Sequence, residues 1–507
     1  MCCISQKSEI IRHKSLRGFT LVELLAVITI TGVLAVLSQS VSAVETVTVK
    51  ANILASGVGG VYGSVDTRYS GFIYGIDATS NPGSNLFEKL KPSVVRASAL
   101  NGDFANYPRI VAAGGTFQYL LSDANLGTPL PGGSGDPTYS LWDATVNAKI
   151  AAAKAAGATT GQWDLWNEPN FSTFWSDQTP AGRDKFFETW RRTYTRVRAE
   201  LPNIKIAGPS LAPMYSNNPA DGTINYDNFL NYAKANNVMP DVVTIHAFQK
   251  EQGGIYATWL RNKFTSLNLT KTPTIAANEM ICNFEQFRPG VIPHYFANLR
   301  AANVDYGVHA CWNDPVWDGA SPPNVNNGFN NSLDGLLTPD TKQPRSVWWV
   351  YEKYAEMSGN YVSLTGSSSV TGLASVDAAN KELMVLLGRD VGYDPTGFGP
   401  LSVTLQVDQL RTALGFSGML QADLWRIPNS GSDALASPTL AGSSLLAADS
   451  LSLTLPNFGA NDAYYVTLRA VPEPGALVLL GCALSGLLTY AWRKREVIWD
   501  LKRRVCR

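Results

Sequence analysis

Two glutamates set in apolar strings are the residues of this sequence best placed to do chemistry. Glu168 lies in Trp163-Asp164-Leu165-Trp166-Asn167-Glu168-Pro169-Asn170, and Glu279 in Thr274-Ile275-Ala276-Ala277-Asn278-Glu279-Met280. In each string an apolar run turns polar at its last residues, so the carboxylate stands where a strand opens onto a loop. Pro169 has no N–H and blocks continuation of the first strand. Two carboxyl groups held about 5–5.5 Å apart can divide a displacement at an acetal carbon, one attacking while the other protonates the departing oxygen. Proximity raises the pKa of the acid while its partner is charged, and the covalent intermediate then removes that charge. One group can thus serve first as acid and then as base. Taken singly, each glutamate has a plainer reading: Glu168 as a loop carboxylate, Glu279 as a salt-bridge partner.

Elements that could bring the two together are legible. Short β-branched or apolar runs alternate with longer amphipathic stretches, the mark of βα repeats. Eight such runs occur, at Gly71-Asp77, Ser93-Ala97, Thr116-Leu121, Gln162-Trp166, Ile204-Gly208, Asp241-His246, Thr274-Asn278 and Val304-Cys311. Eight repeats close a (β/α)₈ barrel, whose working face is the rim at the C-terminal ends of its strands. Glu168 then ends strand four and Glu279 strand seven, with two strands and their helices between them. Arg96, His246 and Trp312 end strands two, six and eight. Helices are expected at Ser140-Ala156, at Gly182-Glu200 with Phe186, Phe187, Trp190, Tyr194 and Val197 at helical spacing, and at Val347-Ser358. Such an aromatic stripe is core material.

After Gly359 the pattern becomes strands without helices: Tyr361-Thr365, Leu383-Gly388, Leu401-Val407, Met419-Trp425, Leu451-Leu455 and Ala463-Ala470. This reads as an antiparallel β-sandwich, to which the alternating Val44-Leu54 could add a strand. The expected organisation is a leader over residues 1–43, a linker with that strand over 44–70, the barrel over 71–359, the sandwich over 360–470 and a terminal segment over 471–507, with apolar targeting helices at both ends.

The Asn-Glu-Pro string, with a strand-seven glutamate behind it, resembles clan A of the retaining glycosidases, the superfamily that includes β-xylosidases, endo-xylanases, cellulases and β-galactosidases. The resemblance covers roughly residues 70–470 and is nearest to the β-xylosidase/α-iduronidase family. It implies that Glu168 is the acid/base, Glu279 the nucleophile and Asn167 a ligand of the sugar 2-hydroxyl. Arg96 would keep the nucleophile ionised through a charge-assisted hydrogen bond, His246 would stand near it, and Trp312 would floor the first subsite. No cofactor and no metal is implied, since two carboxylates and a water suffice. Asp77, Asn170, Trp175, Glu285, Asn313 and Trp317 lie near these strand ends and read as loop residues or substrate contacts. One departure is the string Ala-Asn-Glu-Met around Glu279, where many relatives carry Thr-Glu followed by an aromatic or small residue; the sugar therefore stays open. The rival reading, from another class, is a catalytically silent carbohydrate-binding or pilus-associated surface protein. An inverting hydrolase is a second rival.

Composition fits an exported carbohydrate-active protein. The 41 basic and 41 acidic side chains cancel, which disfavours nucleic acid as a partner. With 507 residues the chain should hold roughly two to four folded units. Its 13 Trp, 20 Tyr and 19 Phe offer apolar faces on which sugar rings pack, so the expected partner is a poly- or oligosaccharide. Cys2, Cys3, Cys482 and Cys506 lie in the end segments, leaving Cys282 and Cys311 as one bridge or two buried thiols.

Both ends read as addresses. Arg12, His13, Lys14 and Arg17 precede the apolar run Phe19 to Leu37, a secretion signal in outline. The segment RGFTLVELL resembles the type IV pilin-like leader, cut after Gly18, in which the residue matching Glu23 aligns subunits. The alternative is an ordinary signal peptide cut after Ala43, and both export the chain. At the other end Val471 to Pro474 (VPEP), the apolar run Gly475 to Trp492, and Arg493, Lys494 and Arg495 resemble the PEP-CTERM sorting tag. The alternative is a plain membrane anchor. Either end would engage a membrane during export and sorting; the oligomeric state stays open.

Overall fold

A computed structural model describes residues 45–54, 56–57, 60–61, 64–212, 222–313, 326–367, 369–392, 396–471 and 484–492. The chain divides into the units Met1–Val44 and Glu45–Arg507, and all the described residues belong to the second.

Eight parallel strands close into a barrel: Gly71–Ile73, Val94–Ser98, Thr116–Leu120, Gln162–Asp164, Lys205–Leu211, Val242–Ala247, Thr274–Met280 and Gly307–His309. Each pairs with the next in sequence, and the eighth returns to the first through Val308 and Gly71. All eight expected runs are present. Strand one stops at Ile73, short of the expected Asp77, because Tyr74 turns into left-handed backbone (φ 57°). Strand four stops at Asp164 rather than Trp166, which frees Leu165 to Glu168 to bend across the rim.

The interior of the barrel carries two polar layers. A small apolar cluster of Ile73, Val94, Leu120, Ala207, Val242, Ala276 and Val308 lines it. Below the rim, Gln118 Nε2 donates to Gln162 Oε1 at 2.9 Å and to Tyr306 Oη at 2.8 Å, while the Tyr306 hydroxyl donates to Gln162 at 2.7 Å. The second, charged layer lies at the rim.

The surrounding helices are Ser140–Ala155, Pro180–Glu200, Tyr226–Ala235, Gln252–Ser266, Ile292–Ala301 and Ser346–Glu356. The long one starts two residues earlier than expected, because Thr179 accepts from the Gly182 N–H at 3.1 Å and Pro180 fits the first turn. Its stripe is core, as expected: Phe186, Phe187, Trp190 and Val197 are buried. Trp190 also donates from its indole to the Val238 carbonyl at 2.9 Å. Truncating such a residue costs about 3–5 kcal/mol.

The second assembly is one continuous nine-stranded sheet, in the order Thr439–Leu446, Leu420–Ile427, Ala463–Ala470, Glu382–Arg389, Val370–Asp377, Asn360–Thr365, Glu45–Leu54, Leu401–Asp408, Leu451–Phe458. The N-terminal strand does join it, and not at an edge: it pairs antiparallel with Asn360–Thr365 and parallel with Leu401–Asp408. That parallel pair corrects the purely antiparallel expectation; the other pairings are antiparallel. The ends of the sheet meet over a shared core. Tyr464 packs edge-on against Phe458 at 4.8 Å, and Arg389 donates to the Phe458 and Gly399 carbonyls at 2.7 and 2.8 Å.

Barrel and sheet pack directly on each other. Gly388 and Gly290 approach so closely that a Cβ on Gly388 would stand 1.9 Å from the Gly290 carbonyl oxygen. The Arg300 guanidinium lies 3.5 Å above the Tyr361 ring, and His294 Nε2 is 3.0 Å from the Gly388 carbonyl.

Residues 484–492 are helical and exposed. Among the described residues no helix is long and apolar enough to cross a membrane. The expected targeting helices fall largely on residues 1–43, 472–483 and 493–507, outside the described residues, and the VPEP tag falls there with them after Val471.

Candidate active site

Strands two, four, five, six and seven deliver their last side chains to one point at the rim. Glu168 sits four residues beyond Asp164 and holds a left-handed backbone (φ 42°), with its N–H donating to the Ser210 carbonyl at 2.8 Å. The bend swings its carboxyl group inward. Glu279 arrives on strand seven, where the register to strand six shifts so that it pairs with His246. One oxygen of Glu168, one of Glu279 and a ring nitrogen of His246 lie within 4.8 Å of one another. The two acids therefore converge at the rim, close enough to act on one bond.

Arg96 organises the Glu279 side. Its side chain is 1% exposed; Nη1 donates to Glu279 Oε1 at 2.6 Å and Nη2 to Asn167 Oδ1 at 2.8 Å. Both Nε and Nη2 also donate to Asp164 Oδ2, at 3.1 and 2.5 Å. Asp164 is fully buried and accepts further bonds from Ser210 Oγ at 2.8 Å and Asn278 Nδ2 at 2.8 Å. His246, fully buried, hydrogen-bonds through Nδ1 with Glu168 Oε1 at 2.7 Å, while Nε2 stands 3.7 Å from Glu279 Oε1. Trp312 donates from its indole to the Ile281 carbonyl at 2.9 Å and meets Phe248 edge-on at 5.0 Å, and Phe248 in turn packs on His246.

The electrostatics follow from burial and pairing. Burial pushes the Glu279 carboxyl up, and the Glu168 charge adds to the rise; His246 and Arg96 pull it back without cancelling the shift. His246 is drawn down by burial, yet Glu279 and Glu168 outweigh this and hold its pKa above the ordinary value. Burial likewise opposes the charge on Arg96, but Asp164 and Glu279 raise its pKa, so it stays a cation.

Glu168, His246 and Glu279 could each offer one atom to a metal ion. Bonds of about 2.0–2.2 Å would draw those atoms inward, against the Arg96 cation already bonded to Glu279. Proton transfer and nucleophilic attack fit the set better.

Other expected contacts sit elsewhere or serve the loops. Asp77 accepts the backbone N–H groups of Thr79, Ser80 and Asn81 and so closes a turn. Asn170 holds the Ala212 N–H at 2.9 Å. Trp175 is core, its indole bonded to the Gly182 carbonyl at 3.1 Å. Glu285 accepts from the Tyr295 hydroxyl at 2.7 Å. Asn313 is exposed and bridges to Asn326, and Trp317 lies outside the described residues. Cys282 and Cys311 are both free, so the bridge alternative falls.

Sequence reasoning missed Asp164, Ser210 and a pair at the ends of strands one and three. There the Tyr74 hydroxyl donates to Asp123 Oδ2 at 2.6 Å, and the Tyr74 ring stacks on Phe329 at 5.1 Å. The one available signal was a charged residue, Asp164, inside an apolar run.

Residues 157–320 match the model for glycosyl hydrolases family 39. The matched stretch contains Glu168, His246, Glu279 and Trp312. The chain is a glycoside hydrolase. A second match, to the prokaryotic N-terminal methylation motif, spans residues 14–38 and supports a leader for export. Among solved structures, the N2152 protein from Neocallimastix frontalis aligns with a TM-score of 0.67 at 23% identity, covering 84% of this chain and 100% of that one. The GH39 enzyme from Xanthomonas axonopodis pv. citri gives 0.59 at 14% identity, over 86% and 99%. A monomeric β-xylosidase from Caulobacter crescentus gives 0.58 at 13% identity, over 84% and 100%. At these identities the likeness is one of fold, and it runs through both barrel and sheet of the hydrolase.

Proposed function

We propose that this hydrolase cleaves a poly- or oligosaccharide with net retention, using Glu279 as nucleophile and Glu168 as acid/base. The observation that carries the reading is the convergence of the two carboxyl groups within 4.8 Å, with Arg96 bonded to one and His246 to the other. In the first step Glu279 attacks the anomeric carbon while Glu168 gives its proton to the departing oxygen, so that a glycosyl ester forms as the old C–O bond breaks. In the second, Glu168 takes a proton from water as the water oxygen attacks the same carbon and Glu279 is released. Asn167, held by Arg96, binds the sugar 2-hydroxyl, and Trp312 floors the first subsite. No cofactor takes part.

We place the enzyme outside the cytoplasm, with the leader processed after Gly18 and the PEP-CTERM-like segment retaining or sorting the protein at the surface. The division into barrel over 71–359 and sandwich over 360–470 belongs to the same reading. The leader motif also favours one rival, a silent pilus-associated protein. Hydrolysis of an aryl β-glycoside panel by wild type and Glu168→Gln separates them: the hydrolase reading expects turnover that the variant loses, the rival none. Proton NMR of the first-formed sugar then decides mechanism. The substrate's own anomer supports retention, and the opposite anomer sinks it.

A further inference from the structure

Asp164 is the most heavily bonded buried acid at the rim, yet it cannot touch a substrate: it is 0% exposed, beneath the two catalytic carboxylates. Its bonds reach Arg96 on strand two, Ser210 on strand five and Asn278 on strand seven. A buried carboxylate is costly to desolvate, and a group of this kind persists where every lone pair is used and the fold depends on its direction. The direction here is that of Arg96. Two of its three nitrogens point at Asp164, which fixes the guanidinium plane; the remaining Nη1, with the second hydrogen of Nη2, is thereby aimed at Glu279 and Asn167. An unanchored arginine on a flexible stem would forfeit that aim.

We infer that Asp164 is a positioning residue of the glycosidic reaction: it seats Arg96 so that one guanidinium holds both the nucleophile Glu279 and the sugar-binding Asn167. The inference rests on the double-displacement reading for its kinetic consequence, though not for its structural one. The acid does not react; it acts through Arg96. Asn278, the residue before Glu279, reports the same anchor from the other strand, since its Nδ2 also donates to Ser210 Oγ at 2.9 Å.

The test has two arms on the full chain. In the first, the Glu279 carboxyl is followed by carbon-13 NMR of glutamate-labelled protein in wild type, Asp164→Ala and Asp164→Asn. The charged or titrating groups facing Glu279 are Arg96, His246, Glu168, Asp334 and the Cys311 thiol, and none is altered. Loss of the aimed guanidinium in Asp164→Ala should move the Glu279 titration up by about one pH unit. Asp164→Asn, which keeps an acceptor oxygen for Arg96, should recover part of that shift. A Glu279 titration that does not move, or one that moves down because Arg96 stays and merely loses a neighbouring anion, overturns the inference. This arm needs no turnover, so an inactive wild type would sink the hydrolase reading and leave this one decided on its own. In the second arm, Asp164→Ala should lose on the order of 100-fold in kcat on an aryl β-glycoside with KM changed less than about threefold, and Asp164→Asn should lie between. Equal losses in both variants, tracking the folded fraction by circular dichroism, contradict it. Should Asp164→Ala not fold, Ser210→Ala removes one anchor bond and must shift the titration in the same direction by less.

Discussion

The barrel holds two buried polar layers built on overlapping strands, and they differ in kind. The lower one, Gln118, Gln162 and Tyr306, is neutral and bonded to itself across strands three, four and eight. The upper one, Arg96, Asp164, Glu168, His246 and Glu279, is ionisable, and burial together with its own members displaces the pKa values of Arg96, His246 and Glu279. A neutral layer fills the waist of the barrel with amide and hydroxyl hydrogen bonds and asks nothing of pH. The ionisable layer carries the cost of burial at the place where, on the proposed mechanism, a substrate's developing charge would relieve it. Position inside the barrel alone does not mark a site, since both layers lie there; the density of ionisable groups and the partial exposure of Glu168 and Glu279 set the upper one apart.

That contrast can be broken at several depths. Glu279→Gln removes the proposed nucleophile and should lower kcat by on the order of 10⁴-fold or more with the fold intact, measured as turnover of an aryl β-glycoside alongside circular dichroism. Glu168→Gln should cost about 10²–10⁴-fold, and less on substrates with good leaving groups, which need no proton; a loss independent of leaving group contradicts the assigned role. Gln162→Leu, in the lower layer, should leave kcat within about threefold yet cost about 1–3 kcal/mol in chemical denaturation, because Gln118 and Tyr306 lose their acceptor. Were that variant to lose activity while keeping stability, the distinction between the layers would fail.

The smallest effect is in pH and stability. Glu279 and His246 both have folded pKa values above their ordinary ones, near 4.5 and 6.5. Each therefore contributes stability that is fully present below its ordinary value and is lost as pH rises through the folded one. Wild type should lose Tm from about pH 4.5 upward relative to Glu279→Gln, which lacks the Glu279 part and, with the Glu279 charge gone, keeps only what Glu168 sustains of the His246 part. Parallel Tm curves for the two proteins between pH 4 and 8 would contradict the raised Glu279 pKa.

How much of this was legible depended on which physical cue each residue left in the chain. The barrel strands were readable because βα alternation repeats, and Glu168 and Glu279 because polarity breaks an apolar run at a strand end. Arg96, His246 and Trp312 were readable only as strand-end residues. Asp164 was in view but unassigned, since nothing local says which strands its oxygens face. In the sheet, Leu401–Asp408 alternates because only one face is buried, whereas Glu382–Arg389 is buried almost throughout, packed between the sheet core and the barrel. Strands Val370–Asp377 and Thr439–Leu446 escaped because small residues and glycine, at Gly372 and Gly442, blur the period. The central place of Glu45–Leu54 is a long-range pairing that no local pattern reports.

Covalent trapping tests the account most directly. The wild type would be incubated with an activated 2-deoxy-2-fluoro-β-glycoside of the sugar it cleaves, digested, and mapped by mass spectrometry. The account predicts one glycosyl adduct, on the peptide carrying Glu279, and none in Glu279→Gln. An adduct on Glu168, or steady hydrolysis that releases the inverted anomer with no adduct on any peptide, would contradict it.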